Sequence, residues 1–232
     1  TFFGYLYNLS SYTTTSTIKN LKLTNSYFET TANSFGSIAG RGKGQFDTVY
    51  SDAIVVGNAA NIGGIVGQVP GKASMKMNNC WFAGSVTNNS NDNAKRGTGG
   101  LVGVILSDAT ITNCLNTGTI SAPQYTVTNS ATSKSVAPRV GGILGSTGNN
   151  STTTISHCLN TGEIKCNSAA TAGYGSIVGS ANTLVKLENT FATKESCAKT
   201  IVGTFEGQTI VYDKAQLNGY GGYKWTTLDF QK

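Results

Sequence analysis

The chain has 232 residues, of which 12% are charged, and its formal net charge of +6 is spread along the sequence. Gly, Ser, Thr and Asn are abundant, whereas a helical protein normally uses far more Glu, Lys, Ala and Leu. The sequence lacks the dense cluster of Lys and Arg that would indicate a nucleic-acid partner. It also lacks an apolar run that approaches the roughly 20 residues needed to span a bilayer. We therefore expect no helical bundle, no nucleic-acid binding and no membrane insertion of this segment.

The most regular feature of the sequence is a five-residue glycine phrase, which consists of Gly-Gly or Gly-Ser, two apolar residues and a final glycine. The first and the fifth copy carry the Gly-Ser form. The phrase occupies residues 36–40, 63–67, 99–103, 141–145 and 175–179, with a degenerate copy at 200–203. Internal repeats on a scale of roughly 20 to 50 residues are typical of solenoids, propellers and arrays.

A second repeated element, the cysteine element, follows the glycine phrase. Residues 111–120 and 155–164 share the pattern Ile-x-x-Cys-Leu-Asn-Thr-Gly-x-Ile, and residues 77–86 are a looser copy. Apolar residues occur in short runs bounded by Gly, Asn, Ser and Thr, without helical periodicity. This pattern therefore predicts two strands in each repeat unit, one in the glycine phrase and one that ends at the glycine of the cysteine element.

Strands this short cannot bury a face alone, but successive repeats stacked in register, about 4.8 Å apart, build a continuous core. Such stacking aligns equivalent side chains into ladders. One predicted ladder is aliphatic and consists of Ile38, Ile65, Leu101, Ile143, Ile177 and Ile201. The other contains small side chains, namely Ser26, Thr48, Cys80, Cys114, Cys158 and Thr190.

The sequence therefore predicts an all-β fold, a parallel β-helix (β-solenoid) of about six to seven rungs, where a rung is one turn of the chain. Residues 1–211 hold the repeats. Residues 212–232 drop the repeat and are rich in Tyr and Trp, so we expect them to form an aromatic C-terminal cap of the same domain. The variable segments 88–98 and 121–139 are predicted to be loops, because insertions of this size cost little in a solenoid.

The five cysteines do not form an evident disulfide framework. Cys80, Cys114 and Cys158 share one repeat position, which indicates buried thiols rather than bridges. Cys166 and Cys197 follow the ladder position at similar distances, so that a bridge between neighbouring rungs and two free thiols both stay open. A metal site is not expected, because the chain has no Cys-x-x-Cys pair and its single histidine adjoins a ladder cysteine.

That histidine, His157, is predicted to occupy a polar stacking position rather than to act in catalysis. Its repeat equivalents are Asn25, Asp47, Asn79, Asn113 and Asn189. A glycosidase needs two carboxylates about 5 to 10 Å apart across a substrate. Glu163 and Glu195 fall on adjacent predicted rungs, but no acidic cluster is present, and we expect no enzymatic activity.

We also expect no cofactor. Residues 40–44 read Gly-Arg-Gly-Lys-Gly and suggest a phosphate cradle, but they lack the Walker spacing and overlap a glycine phrase. They are predicted to be a loop between rungs.

The glycine phrase and the cysteine element together resemble the GLUG motif of bacterial surface proteins, over residues 2–203. The resemblance implies a parallel β-helix, and the family is found in adhesin-like surface proteins and in non-catalytic parts of large immunoglobulin A peptidases. It implies no catalytic residues. The chain departs from the family pattern at its fifth interval, where the unit shortens, and in its tail.

The predicted function is a non-catalytic structural and adhesive module, extracellular or on a cell surface, which binds glycan or protein on a host or neighbouring surface. Binding is assigned to the variable loops, with Tyr125, Arg139, Lys95 and Arg96 as candidate residues and Tyr125 as a candidate for sugar stacking. Two alternatives stay open. One is a fibre subunit that self-associates through the solenoid ends, and the other is a carbohydrate-active enzyme of the parallel β-helix type.

Overall fold

A computed structural model describes residues 1–6, 16–72, 74–90, 97–122, 125–126, 135–136, 139–148, 151–166, 173–181, 184–192, 200–205 and 210–212. Within these ranges the chain contains strands, turns and bends and no helix. None of the described residues therefore belongs to a helix that could cross a membrane. The prediction of an all-β fold is confirmed.

In the described part of the chain, most strands belong to three sheets. Sheet 1 consists of Phe3–Leu6, Phe35–Gly36, Ala39–Gly42, Ile62–Gly63, Val66–Val69, Thr98–Gly99, Val102–Ile105, Val140–Gly141, Leu144–Thr147, Tyr174–Ala181 and Thr200–Phe205. Sheet 2 consists of Ser16–Leu23, Gly44–Ser51, Met75–Asn78, Trp81–Phe82, Ala109–Thr112, Leu115–Asn116, Thr152–Ser156, Leu159–Asn160, Leu184–Glu188, Phe191–Ala192 and Ile210–Tyr212. Sheet 3 consists of Tyr27–Thr30, Ile54–Gly57, Ser85–Asn88, Thr119–Ala122 and Ile164–Cys166.

The strand pairs within these three sheets are parallel and join equivalent segments of successive repeats. Ala109–Thr112, for example, pairs residue by residue with Met75–Asn78 on one side and with part of Thr152–Ser156 on the other. A separate two-stranded hairpin pairs Tyr125–Thr126 antiparallel with Ser135–Val136. Parallel strands that follow one another through three sheets are consistent with a β-solenoid.

In its first four copies the glycine phrase forms a sharp bend inside sheet 1, whereas the fifth copy lies within the continuous strand Tyr174–Ala181. One short strand ends at Gly63, two bend residues follow, and the next strand begins at Val66. A Cβ atom on Gly63 would overlap the carbonyl oxygen of Val66. The bend therefore depends on glycine, and the predicted single strand is corrected to two half-strands in the first four copies and confirmed in the fifth.

Sheet 2 has a second bend, at which residues adopt the left-handed backbone region. Asn79, Asn113, His157 and Asn189 have φ between 45° and 54°. Asparagine tolerates this region better than most residues that carry a side chain. Each of these residues separates two short strands of sheet 2, and this explains why the cysteine element contains a break that strand patterning alone did not predict.

The aliphatic ladder is confirmed as the centre of the core. Its first five members are fully buried. Backbone N–H groups connect them across the rungs, since Ile38 donates to Ile65, Leu101 donates to Ile143, and Ile143 donates to Ile177, at 3.0–3.1 Å. The side chain of Ile201 lies outside the described part of the structure.

The ladder of small side chains is confirmed for Cys80, Cys114, Cys158 and Thr190, which are all buried. Ser26 and Thr48 were assigned to it wrongly. In the observed register Tyr50 pairs with Trp81, so that the residue before it, Val49, lies beside Cys80.

The physical reason is a different register in the earliest repeats, which moves the ladder position by one residue from Thr48 to Val49 and by five residues from Ser26 to Leu21. Val49 is fully buried, because an apolar side chain takes the core position, whereas Thr48 takes the left-handed bend with φ of 56°. Ser26 is partly exposed and lies in the turn before sheet 3. The polar stacking position shifts as well, since Asp47 pairs with Asn78 and not with Asn79.

The three predicted loops are shorter than expected. In the predicted loop 121–139, Ser121 and Ala122 end a strand of sheet 3. Residues 40–42 belong to a strand of sheet 1, and Gly44 begins the next strand, so this segment is not a loop. At the ends of the predicted loop 88–98, Asn88 and Thr98 are buried, and Asn88 Nδ2 donates to Thr98 Oγ1 at 3.0 Å. Both residues belong to the stacked strands, and their hydrogen bond satisfies the polar groups that this position buries.

Candidate binding surface

The four predicted binding residues do not form a described site. Lys95 and Arg96 lie outside the described residues. Tyr125 begins the antiparallel hairpin, and its side chain is not described. Arg139 is partly exposed, and its carbonyl oxygen accepts a hydrogen bond from the Thr98 N–H at 2.8 Å. The backbone of Arg139 is therefore part of the stack, and the binding role of all four residues stays a prediction.

A different group of side chains lies on the outer face of sheet 2, close to the corner where the chain passes into sheet 3. The register aligns Lys22, Tyr50, Trp81 and Leu115 on successive strands. Phe82 is fully buried. Because side chains alternate along a strand, Trp81 must face outwards.

The rings of Tyr50 and Trp81 meet edge to face, with centroids 5.1 Å apart and planes at 80°. This arrangement is favoured by the ring quadrupoles. Trp81 Nε1 donates to Thr117 Oγ1 at 2.9 Å, and Lys22 Nζ lies 5.5 Å from the centroid of the Tyr50 ring. The Trp81 ring is therefore held by a hydrogen bond at its edge, and the Tyr50 ring has a cation over its face.

Asp52 connects the aromatic pair to the corner. Its Oδ1 accepts a hydrogen bond from the Asn25 N–H at 2.8 Å, and its Oδ2 accepts one from the Tyr50 hydroxyl at 3.4 Å. Burial and, after it, the Asp52 carboxylate raise the pKa of Tyr50 above its ordinary value. The Tyr50 hydroxyl therefore remains a hydrogen-bond donor at neutral pH.

On the sheet 3 side of the corner, Tyr27 and Ile54 lie opposite each other on adjacent strands and are 60% and 48% exposed. The Tyr27 hydroxyl donates to Glu29 Oε2 at 3.2 Å. Loss of hydration and then the Glu29 carboxylate raise the pKa of Tyr27. We call the following residues the corner surface: Tyr27, Tyr50, Asp52, Ile54, Trp81 and Thr117.

Sequence reasoning assigned binding to loops and therefore missed this surface. The available signal was an aromatic substitution in the repeat itself. The residue after the ladder cysteine is leucine at Leu115 and Leu159 but tryptophan at Trp81. Since this position faces outwards, an aromatic residue there changes the surface rather than the core.

Comparisons with protein-family models, with curated proteins and with solved structures each found no match.

The ladder cysteines are chemically protected. Cys80, Cys114 and Cys158 are free thiols with no exposed surface. Their sulfur atoms donate to backbone carbonyls, for example Cys114 Sγ to the Thr112 oxygen at 3.1 Å. This arrangement confirms the prediction of buried thiols.

The other two cysteines leave the bridge prediction untested. The backbone of Cys166 pairs with Ala122 in sheet 3. The side chain of Cys166 and all of Cys197 lie outside the described residues, so the bridge stays a prediction.

His157 occupies the left-handed bend of sheet 2, in line with Asn113 and Asn189. Its Nε2 lies 3.3 Å from Asn189 Nδ2, and its backbone N–H donates to the Glu188 oxygen at 2.9 Å. The predicted polar stacking position is confirmed for these residues. It was wrong for Asn25, which lies in the turn before sheet 3.

Several acidic side chains of the described segments have structural partners. Asp47 Oδ1 accepts from Asn78 Nδ2 at 3.0 Å, and Asp108 Oδ1 accepts from the Thr152 N–H at 2.8 Å. Glu163 lies 3.8 Å from Lys165, and Glu195 is outside the described residues. Within the described ranges, no three His, Cys, Asp or Glu side chains converge as a metal site would require.

Proposed function

We propose that the chain is a non-catalytic, extracellular structural and adhesive module, which binds glycan or protein on a host or neighbouring surface. The module is a stiff β-solenoid of GLUG-like repeats with about six to seven rungs. Its outer faces and its variable segments carry the binding groups. The aromatic cap at residues 212–232 stays a prediction, because residues 213–232 lie outside the described part of the chain.

The observation that supports this proposal most directly is the in-register stacking of successive repeats. The same strand recurs as Met75–Asn78, Ala109–Thr112 and part of Thr152–Ser156 without a shift of register. Segments of very different length connect these rungs. A scaffold that keeps its register despite such insertions can vary its surface without changing its core.

The acidic residues support a non-catalytic role through the contacts they make. Asp47, Asp52 and Asp108 each accept hydrogen bonds from a neighbouring rung. Carboxylates used in this way stabilise the stack, because each one satisfies a donor on the next turn of the chain.

The test is retention of the whole protein on immobilised mucin, fibronectin and polysaccharides, with product analysis of the same samples. We expect retention without release of reducing sugars or unsaturated uronic acids. Alanine substitution of Lys95, Arg96 and Tyr125 tests the loop contribution. Cleavage of a polysaccharide would contradict the proposal, as would the absence of retention on every surface.

A second candidate function, end-to-end self-association, is favoured by the strand edges at one end of the described stack. Phe3–Leu6, Ser16–Leu23 and Tyr27–Thr30 each pair with strands on one side only. Phe2 and Tyr5, at the same end, are 58% and 56% exposed. Exposed strand edges template pairing with another chain.

Sedimentation velocity over a range of protein concentrations tests this second function. Self-association through this end predicts larger species at higher concentration, and the substitution Tyr5→Lys should reduce them because an edge lysine opposes strand pairing. A monomer at every concentration would exclude end-to-end assembly.

A further inference from the structure

The corner surface combines apolar exposure with fixed polar groups. Tyr27 and Ile54 expose about half of their surface on adjacent strands. Tyr50 and Trp81 are partly exposed in sheet 2, and Asp52, which follows Tyr50 at the corner, links Tyr50 to the Asn25 backbone before Tyr27. Contiguous exposed apolar surface rimmed by polar groups marks a binding site more often than a solvent-facing sheet.

The aromatic groups are held in place before any ligand binds. Trp81 is fixed by its ring contact with Tyr50 and by its hydrogen bond to Thr117. Tyr50 is tied to Asp52, which in turn is bonded to the backbone of Asn25. Because these side chains are already ordered, binding loses little conformational entropy.

The polar groups of the surface suit a ligand that is rich in hydroxyl groups. The Asp52 carboxylate and the Thr117 hydroxyl both have acceptor capacity beyond the bonds described. The carboxylates of Glu29 and Asp52 flank the aromatic rings, with Lys22 as the cation above Tyr50. Two carboxylates disfavour an anionic ligand, whereas a neutral sugar offers C–H faces to aromatic rings and hydroxyl donors to carboxylates.

From these observations we infer that the corner surface binds a neutral, extended polysaccharide, with sugar rings on Tyr27 and Trp81 and sugar hydroxyls on Asp52 and Thr117. The chain of sugars crosses the strands, since Tyr27 lies two rungs from Trp81: Tyr27 pairs with Ile54, and Ile54 pairs with Ser85, in the strand that follows Trp81. This inference rests on the proposed adhesive function and assigns its ligand class.

Affinity electrophoresis tests this inference. Gels that contain hydroxyethyl cellulose, arabinoxylan, mannan or laminarin supply neutral probes, and a gel with polygalacturonate supplies an anionic one. The variants are Trp81→Ala and Tyr27→Ala. Tyr27 is 60% exposed, so its removal tests the surface even if Trp81→Ala does not fold. The control is Leu106→Ala, which removes a 36% exposed leucine outside the corner surface.

We expect at least one neutral polysaccharide to retard the wild-type protein and Leu106→Ala, and binding to weaken about tenfold in Tyr27→Ala and Trp81→Ala. In a Trp225→Phe background, Trp81 fluorescence should change on addition of the same polysaccharide. Unchanged retardation of both corner variants would overturn the inference, as would retardation by polygalacturonate alone or by no probe.

The electrophoresis and the retention assay on mucin and fibronectin together separate this inference from the proposed function. If the corner variants fail to alter binding but the wild-type protein is still retained on mucin or fibronectin, the corner assignment is wrong and the adhesive function stands. If neutral polysaccharides are cleaved, the non-catalytic function itself is wrong.

Discussion

The backbone of Gly142 in the glycine phrase lies directly against the side-chain amide of Asn160 in sheet 2. A Cβ atom on Gly142 would overlap Asn160 Nδ2 and the carbonyl oxygen of Ser176. Asn160 is fully buried and uses this proximity, because its Nδ2 donates to the Ser176 oxygen at 2.9 Å. The side chains of the second residue of the glycine phrase and of the buried residue of sheet 2 therefore compete for the same volume in the core.

The same relationship recurs in each described rung and explains the two forms of the glycine phrase. Glycine occurs where the facing residue is large, and serine occurs where it is small. The facing pairs are Ser37 with Ser51, Gly64 with Phe82, Gly100 with Asn116, Gly142 with Asn160 and, by register, Ser176 with Ala192.

The substitution Gly142→Ala should destabilise the protein by about 3 kcal/mol, because the added methyl group has no space beside Asn160. Urea unfolding followed by circular dichroism measures this change. Gly71→Ala is the matched control, since the nearest atom to its new Cβ would be the Leu106 oxygen at 3.8 Å. Equal stability of the two variants would contradict the shared-space explanation.

Asn160→Ala should cost about 2 to 3 kcal/mol, because it removes several buried hydrogen bonds at once. Asn160 Oδ1 accepts from Gly162 N at 3.1 Å and from Asn116 Nδ2 at 2.7 Å. The control is Asn78→Ala, which removes a hydrogen-bonding asparagine from the exposed face and should change stability by less than about 0.5 kcal/mol. A similar loss in both variants would show that burial of the amide network contributes little.

The buried thiols should make the protein less stable in alkaline solution. Burial and then the Cys114 thiol raise the pKa of Cys80 well above its ordinary value of 9.0, and burial and then the Cys158 thiol raise the pKa of Cys114. The folded state therefore retains protons that the unfolded state loses. This contribution to stability is fully present below about pH 9 and is lost as the pH rises towards the folded-state values.

Unfolding free energies at pH 7 and pH 10 test whether stability falls in alkaline solution as predicted. We expect Cys114→Ser to lose less stability than the wild-type protein over this interval, because serine does not ionise.

In a Cys166→Ser, Cys197→Ser background, a thiol reagent at pH 8 should modify the three ladder cysteines only after unfolding. Rapid modification of the native protein would show that the ladder is accessible.

His157→Asn should leave stability and surface binding unchanged, because asparagine occupies the same left-handed bend at Asn113 and Asn189. His157→Val should cost about 1 to 2 kcal/mol, since a β-branched residue is strained at this φ. Thermal unfolding of the two variants checks the difference. A loss of polysaccharide binding or of any measured activity in folded His157→Asn would show that the imidazole itself has a function.

Much of the fold could be predicted because it is encoded within each repeat. The apolar residues of the glycine phrase are buried wherever they are described, as at Ile38 and Ile143. Their burial depends on local patterning and on stacking of identical units, and both are readable from one chain. The thiol ladder of Cys80, Cys114 and Cys158 was predictable for the same reason.

The register of the earliest repeats and the corner surface were not predictable in this way. Thr48 and Val49 are both compatible with a strand, and only pairing with the next rung assigns Val49 to the core and Thr48 to the bend. Trp81 and Thr117 are 36 residues apart in sequence, yet they share a hydrogen bond.

The sequence by itself thus determined the repeating unit, its strand composition and its aliphatic ladder, because hydrophobic burial follows from residue type and spacing. Only the tertiary structure decided which residue faces which across the rungs. That choice depends on steric fit between distant segments, as between Gly142 and Asn160, and on hydrogen bonds that form only once the rungs are stacked.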